Sequence, residues 1–221
     1  MNNMIQLEKV CKTYGVLSKP THALKDVDLN IGEGEFCIVN GPSGSGKTTL
    51  LLGIGGMLRP SSGSVTIKGL DIYSMNSSER TRFRASNIGF VFQTFYLIPY
   101  LNVLENVLLS ARLRRDRNGH RKAEELIDQL GITDRILHKP SELSAGECQR
   151  VAMARALILQ PEIILADEPT GNLDPDNSLE VINILEDYHK GGGTVILATH
   201  GKDAVQYADC IFSLNKGEIV Q

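Results

Sequence analysis

The chain lacks any stretch approaching the about eighteen uninterrupted apolar residues that a membrane-spanning helix needs. Its start, Met1-Asn2-Asn3-Met4, has no basic region leading into an apolar one, so no secretory leader is expected and the chain is read as cytoplasmic. An excess of one charge is also missing, since 26 acidic residues face 23 basic ones for a formal charge of −3. That balance supplies no general pull toward nucleic acid or an anionic lipid surface, so no nucleic-acid partner is expected and any partner must be recognised locally. Cysteine is scarce. Cys11, Cys37, Cys148 and Cys210 stand far apart without a C-x-x-C pair, and three of them lie in apolar runs. Buried, reduced thiols are expected rather than a disulfide or a metal site. Internal repeats and low-complexity segments are absent as well.

What is present fits one α/β unit of 221 residues, a single domain with a smaller insert. Met4 to Val10 alternates loosely and His22 to Leu29 suggests a second strand, joined by the polar loop Val16 to Pro20; an antiparallel N-terminal layer follows. Ile163-Ile164-Leu165-Ala166 and Val195-Ile196-Leu197-Ala198 show no alternation, the pattern of strands buried on both faces of a parallel sheet. From Ser77 to about Leu159 the periodicity turns helical, as in Ala123 to Leu130 with Gly131 as the stop. The expected division is a core over about 1–90 and 160–221 and a helical subdomain over about 91–159. Ile211 to Val220 reads as two short strands around Asn215-Lys216-Gly217.

Residues Gly41, Pro42, Ser43, Gly44, Ser45, Gly46, Lys47 and Thr48 match the phosphate-loop pattern G-x-x-x-x-G-K-[ST] without exception, and Thr49 opens the helix-like run that follows. The apolar stretch Glu35 to Val39 precedes it, so the motif has the strand-loop-helix context that a working site requires. Glycines let backbone N–H groups turn toward one anion, and the helix adds its positive end. Lys47 is then expected on the β- and γ-phosphates and the Thr48 hydroxyl on Mg²⁺.

A second motif, Ile164 to Glu168, ends a buried strand in two adjacent carboxylates, which need a cation nearby. Asp167 fits the metal-supporting aspartate and Glu168 the group that polarises the attacking water. The third, Leu143-Ser144-Ala145-Gly146-Glu147, is a capping box with Glu147 three residues after Ser144. It is also an exposed helix start able to receive an anion, and the phosphate loop already serves the chain's own nucleotide. A nucleotide held by another copy is the remaining candidate.

Taken together and in this order, phosphate loop, Leu143 to Glu147, Asp167-Glu168 and Asn172-Leu173-Asp174 resemble the nucleotide-binding subunit of an ATP-binding-cassette transporter, over essentially the whole chain. The resemblance implies a P-loop NTPase fold with a mostly parallel core sheet, a head-to-tail homodimer around two Mg-ATP, and ATP hydrolysis. It implies that Ser144 and Gly146 contact the γ-phosphate held by the partner, and it counts Ala145, Glu147 and Asp174 among the nucleotide-binding residues. Gln93 resembles the family's glutamine-loop residue near Mg²⁺ and the attacking water, His200 the switch histidine, and Tyr14 the aromatic that stacks on adenine. Two positions depart from the pattern: Ala145 stands where a glycine is usual and Gly201 where an acidic residue is common.

Within the family, Gly55-Gly56-Met57, Phe95 to Pro99, Lys139 to Leu143 and Ala166 to Asp174 resemble the LolD and MacB type, with the cell-division FtsE type next. That type works with a separate integral membrane permease, so the subunit is expected on the inner face of the membrane. The apolar cluster Phe95, Tyr96, Leu97 and Ile98, beside Gln93, is the expected docking place, with the second lobe's own core as the competing use of those residues. The basic run Arg112 to Arg117 is read as a solvated helix end. With nothing after Gln221 to sense substrate, the partner is expected to choose the cargo. The rivals are a soluble member of the superfamily, which would carry coiled-coil insertions, zinc cysteines or a second cassette, and a GTP switch, for which Asn215-Lys216-Gly217-Glu218 lacks the final aspartate.

Overall fold

Alternating apolar residues build one sheet of this protein and unbroken apolar runs build another. The computed structural model describes residues 3–15, 20–113, 117–201 and 203–220. Its elements are β1 (Asn3–Tyr14), β2 (Thr21–Gly32), β3 (Phe36–Asn40), α1 (Lys47–Ile54), β4 (Ser62–Ile67), β5 (Leu70–Asp71), α2 (Ser77–Asn87), β6 (Ile88–Phe92) and α3 (Val103–Leu113). They continue with α4 (Gly119–Gln129), α5 (Ala145–Leu157), β7 (Ile163–Asp167), α6 (Pro175–Lys190), β8 (Thr194–Thr199), β9 (Cys210–Asn215) and β10 (Glu218–Val220).

The first sheet is antiparallel, in the order β2-β1-β4-β5. Ile5, Leu7, Leu29, Ile31, Val65 and Ile67 point from it into one apolar cluster, which accounts for the alternation. The second sheet has the order β10-β9-β3-β8-β7-β6. Strands β6 to β9 and β3 in it run parallel, and β10 returns antiparallel along the edge. Every residue of β7 and β8 is buried, as a strand covered on both faces must be. On one face lie α1 and the antiparallel layer; on the other, Met153 of α5 and Ile182 and Leu185 of α6 pack on Phe36, Ile38 and Leu197.

Helices α3, α4 and α5 close around a third cluster that includes Val107, Ile127, Val151 and Ala154. Helix α5 serves two cores because Met153 and Ala156 face the sheet while Val151 and Ala154 face α3 and α4. The helical character read from Ser77 onward is interrupted by β6, which pairs with β7 as the outer strand of the core sheet. Its alternation of Gly89 and Val91, buried, with half-buried Ile88, Phe90 and Phe92 is a strand pattern too short to outweigh the helical segments around it.

The cysteine expectation fails for one pair. Cys37 and Cys210 are joined by a disulfide, while Cys11, half-buried, and Cys148, buried, are free. β3 lies beside β9 with Cys37 directly opposite Cys210 and their Cα atoms 4.8 Å apart, a neighbourhood that 173 residues of separation conceal in the sequence. The loop Val16 to Pro20 lies outside the described residues except for Pro20, as do Arg114, Arg115 and Asp116 of the basic run. Beyond the latter, His120 pairs with Glu124 and Arg121 with Glu125 along an exposed face of α4. Among the described residues no helix is long and apolar enough to cross a membrane.

Candidate functional site

Because β3, β6, β7 and β8 are parallel, their carboxyl ends share one edge of the sheet, where ligands of open α/β sheets bind. The phosphate loop follows β3, Gln93 follows β6, Asp167 and Glu168 end β7, and His200 follows β8. A cavity of about 310 Å³ at this edge is lined by Ser43, Gly44, Gly46, Lys47, Thr48, Thr49, Gln93, Glu168 and His200. Ala23, from β2 of the antiparallel layer, lines it too.

The loop depends on glycine at two close approaches. A Cβ at Gly41 would stand 2.2 Å from the Leu214 carbonyl oxygen, and one at Gly46, whose φ is +111°, 2.4 Å from that of Ala23. The turn Asn215-Lys216-Gly217 braces the same loop, with Gly217 N–H donating to the Ser45 carbonyl at 2.9 Å and the Gly217 carbonyl accepting from Lys25 N–H at 2.8 Å. The turn expected between two short strands is there, joining β9 to β10; its role as a prop follows from where this hairpin lies against β3.

Lys47 is buried and donates from Nζ to the carbonyls of Gly41 at 2.6 Å and Pro42 at 3.3 Å. The same Nζ lies 3.1 Å from Glu168 Oε1, and Glu168 Oε2 lies 2.7 Å from His200 Nδ1. Glu168 sits in the left-handed region at φ 48°, a strained conformation for a non-glycine residue that turns its side chain from the line of β7 into the cavity. Burial pushes the Asp167 carboxyl above its ordinary value; the Thr48 hydroxyl and the Lys47 charge oppose the shift and the Glu168 charge adds to it. Asp167 Oδ1 is buried without a hydrogen-bond partner, as is Ser45 Oγ. An orphaned carboxylate oxygen with the Thr48 hydroxyl beside it is a hard-oxygen donor pair of the kind magnesium takes, and Gln93 lines the cavity that Thr48 borders.

The Leu143 to Glu147 segment lies elsewhere. Ser144 caps α5, its Oγ accepting from Glu147 N–H at 3.2 Å while Glu147 Oε2 accepts from Ser144 N–H at 2.7 Å. Arg135 Nε stands 2.8 Å from Glu147 Oε1 and, with the Ser144 N–H, holds the Glu147 carboxyl down at about 2. Gly146 is the position that tolerates no side chain, because a Cβ there would lie 1.9 Å from Asn177 Oδ1 of α6. Ala145 is exposed at the helix start, so its methyl group has room. Asp174 caps α6 by accepting from Asn177 N–H at 3.0 Å, and Arg150 donates to Asn177 Oδ1 at 3.1 Å. Asn177 therefore ties the start of α5 to the start of α6, a link that sequence reading missed.

Thus Ser144, Ala145, Gly146, Glu147 and Asp174 are absent from the lining of the phosphate-loop cavity. Tyr14 is absent from it too; it ends β1, is 41% exposed, and lies under the Lys12 ammonium at 5.3 Å from the ring centre.

The cluster after Gln93 divides. Phe95 and Tyr96 have φ of +57° and +48°, and Arg155 holds this strained pair by donating to their carbonyls at 2.6 and 2.5 Å. Leu97 packs into the helical core and Ile98 N–H donates to Asn106 Oδ1 at 2.7 Å, whereas Tyr96 is 62% exposed, edge-on to Phe92. Phe90, Phe92, Tyr96, Arg155 and Leu159 border a groove of about 350 Å³.

Comparison with known proteins places these observations. The family profile described as ABC transporter matches residues 24–171. An uncharacterised ABC transporter ATP-binding protein of Methanocaldococcus jannaschii is 46% identical over 220 residues, 99% of this chain and 98% of that protein. The lipoprotein-releasing system ATP-binding protein LolD of Geobacter metallireducens is 42% identical over 224 residues, 100% of this chain and 99% of that protein. A solved dimeric ATP-binding cassette in a post-hydrolysis state, bound to ADP and Pi, superposes with a TM-score of 0.93 at 39% identity, covering 99% of this chain and 97% of the other.

Proposed function

The chain belongs to the ABC transporter family as an ATP-hydrolysing cassette, and from that premise we propose that two copies close head to tail over two ATP molecules to drive a separate membrane permease of the LolD and MacB type. One observation carries the reading: the cavity that gathers the phosphate loop, Gln93, Glu168 and His200 contains nothing from the capped start of α5. That helix start, with its free N–H groups and positive end, is offered outward to a second copy.

In this reading the loop amides of 41–46 and Lys47 receive the phosphates. Two carbonyls and Glu168 hold the Lys47 ammonium, so a phosphate bound at the loop competes with them for it. Glu168 then accepts a proton from the attacking water, and His200 orients it through the 2.7 Å contact. Thr48, Gln93 and Asp167 would hold Mg²⁺, which neutralises charge on the phosphates. Tyr14 supplies a ring face for adenine, and Ser144, Ala145, Gly146, Glu147 and Asp174 of the second copy close over the phosphates. The permease docks at the groove beside Tyr96, which the strained, Arg155-held Phe95–Tyr96 pair connects to Gln93. Lipoprotein release or export is the work such a pair of subunits performs, with cargo chosen by the permease.

The test uses Glu168→Gln. In Mg-ATP the variant is expected to elute as a dimer while turnover falls about 10²- to 10⁴-fold, the worth of a positioned base. A monomeric elution profile, or a rate loss below about tenfold, rejects the assignment.

A further inference from the structure

The Cys37–Cys210 pair has no part in the nucleotide site, yet it lies at the root of it. Cys37 is fully buried in β3, and Cys210, which opens β9, is only half-buried. Glu35 Oε2, held by Gly32 N–H at 2.8 Å, lies 3.7 Å from Cys37 Sγ. The carboxylate and the two sulfurs form a group within 4.8 Å of one another. From the linked pair the two strands run parallel, through Asn40 opposite Ser213, to the place where Gly41 presses on the Leu214 carbonyl. The β9–β10 turn then props Ser45 of the phosphate loop.

We propose that Cys37 and Cys210 form a reversible thiol–disulfide switch, entered through Cys210 by small-molecule disulfides such as glutathione disulfide, whose closure clamps the β9–β10 hairpin to the phosphate-loop strand. The order of attack follows from access, since a bulky disulfide reaches the half-buried sulfur and not the buried one. Cys210, having lost its proton to solvent, attacks one sulfur of the small disulfide, forms a mixed disulfide and releases one thiolate. Cys37 then gives its proton to Glu35 and attacks Cys210 Sγ, forming the protein disulfide and expelling the second thiolate. Glu35 passes its proton on to solvent, so the protein loses two electrons and two protons and the small disulfide gains both as two thiols.

The experiment exposes reduced protein, with Cys11→Ser and Cys148→Ser in the background, to glutathione disulfide and follows it by mass spectrometry and thermal melting. The intact pair is expected to end as a protein disulfide without adduct. Adding Cys37→Ser should trap one glutathione on Cys210, while adding Cys210→Ser should leave Cys37 at least tenfold slower to react. Glu35→Gln, which keeps the acceptor to Gly32, should leave the first adduct rate unchanged and slow closure about tenfold. Oxidised protein should melt about 10 °C above protein reduced with dithiothreitol, because the link closes a very long loop. Faster modification of Cys37 than Cys210, a disulfide that dithiothreitol does not open in the folded protein, or equal melting of the two forms with thiols verified by mass overturns the proposal.

Discussion

The phosphate-loop edge and the start of α5 both present a helix N-terminus, but only the first has charged groups from several strands gathered beside it in the same chain. Around α1, four parallel strands deliver Lys47, Gln93, Glu168 and His200 to one cavity, and charges there already neutralise one another. Around α5, Ser144 and Glu147 complete a capping box and Arg135 neutralises the carboxylate, but no lysine or metal-ligating aspartate faces the helix end among the contacts described. The difference shows where a chain is self-sufficient and where it is half of something. In the proposed function, a second copy completes the helix start that is finished here only as local structure.

The comparison breaks most sharply at Ser144→Arg. A bulky cation at the outward helix start should abolish ATP-dependent dimerisation and lower turnover at least a hundredfold, while nucleotide affinity of the monomer changes less than about threefold. Loss of the cap alone costs about 1 kcal/mol, so a variant that unfolds at working temperature would make Ser144 chiefly structural. Lys47→Ala attacks the other edge. Removing charge-assisted hydrogen bonds should weaken Mg-ATP binding about 10- to 100-fold in an equilibrium titration, and unchanged affinity would contradict the phosphate-loop assignment.

Asp167→Asn tests whether the inner edge is strained without its cation. The folded-state value of Asp167 is raised, so its contribution to stability is favourable at pH below its ordinary value near 3.8 and is lost as pH rises through the folded value. At neutral pH the ligand-free variant should therefore melt a few degrees higher than the unaltered protein, with Mg²⁺-dependent ATP binding lost. A lower melting point would mean the carboxylate is better satisfied than its orphaned Oδ1 implies. The smallest effect belongs to the α5 side. Glu147 is depressed from 4.5 to about 2, chiefly by Arg135, so its contribution is present above about pH 4.5 and is lost as pH falls toward 2. Arg135→Ala should lower the melting point only slightly above pH 5, because solvent screens the exposed guanidinium, and the two proteins should converge in acid. A difference that persists below pH 2 would show that Arg135 acts by packing instead.

Sequence made the inner edge legible because each of its parts carries a local rule. Gly41 to Thr48 must be a loop before a helix, and Ile163 to Asp167 must be buried on both faces. Ser144 and Glu147, three apart, likewise announce their cap. What could not be read were contacts with no local trace. Asn177 sits against Gly146 only because α5 and α6 lie side by side. Arg155 reaches back to the carbonyls of Phe95 and Tyr96, about sixty residues earlier. The four-residue apolar cluster could not be divided either, since its backbone leaves the regular regions at two residues and sends Leu97 inward and Tyr96 outward.

By itself the order of residues determined that a phosphate-loop pattern stands at a strand-to-helix turn, that carboxylates end a buried strand, and that a second helix start is capped, because turn, burial period and cap are each written within a few neighbouring positions. Tertiary structure alone decided that Cys37 meets Cys210, that Gly217 props Ser45, and that Lys47 and Glu168 form an ion pair. The physical reason is register: parallel pairing brings together residues from distant segments by a choice of neighbour and alignment that no local pattern specifies.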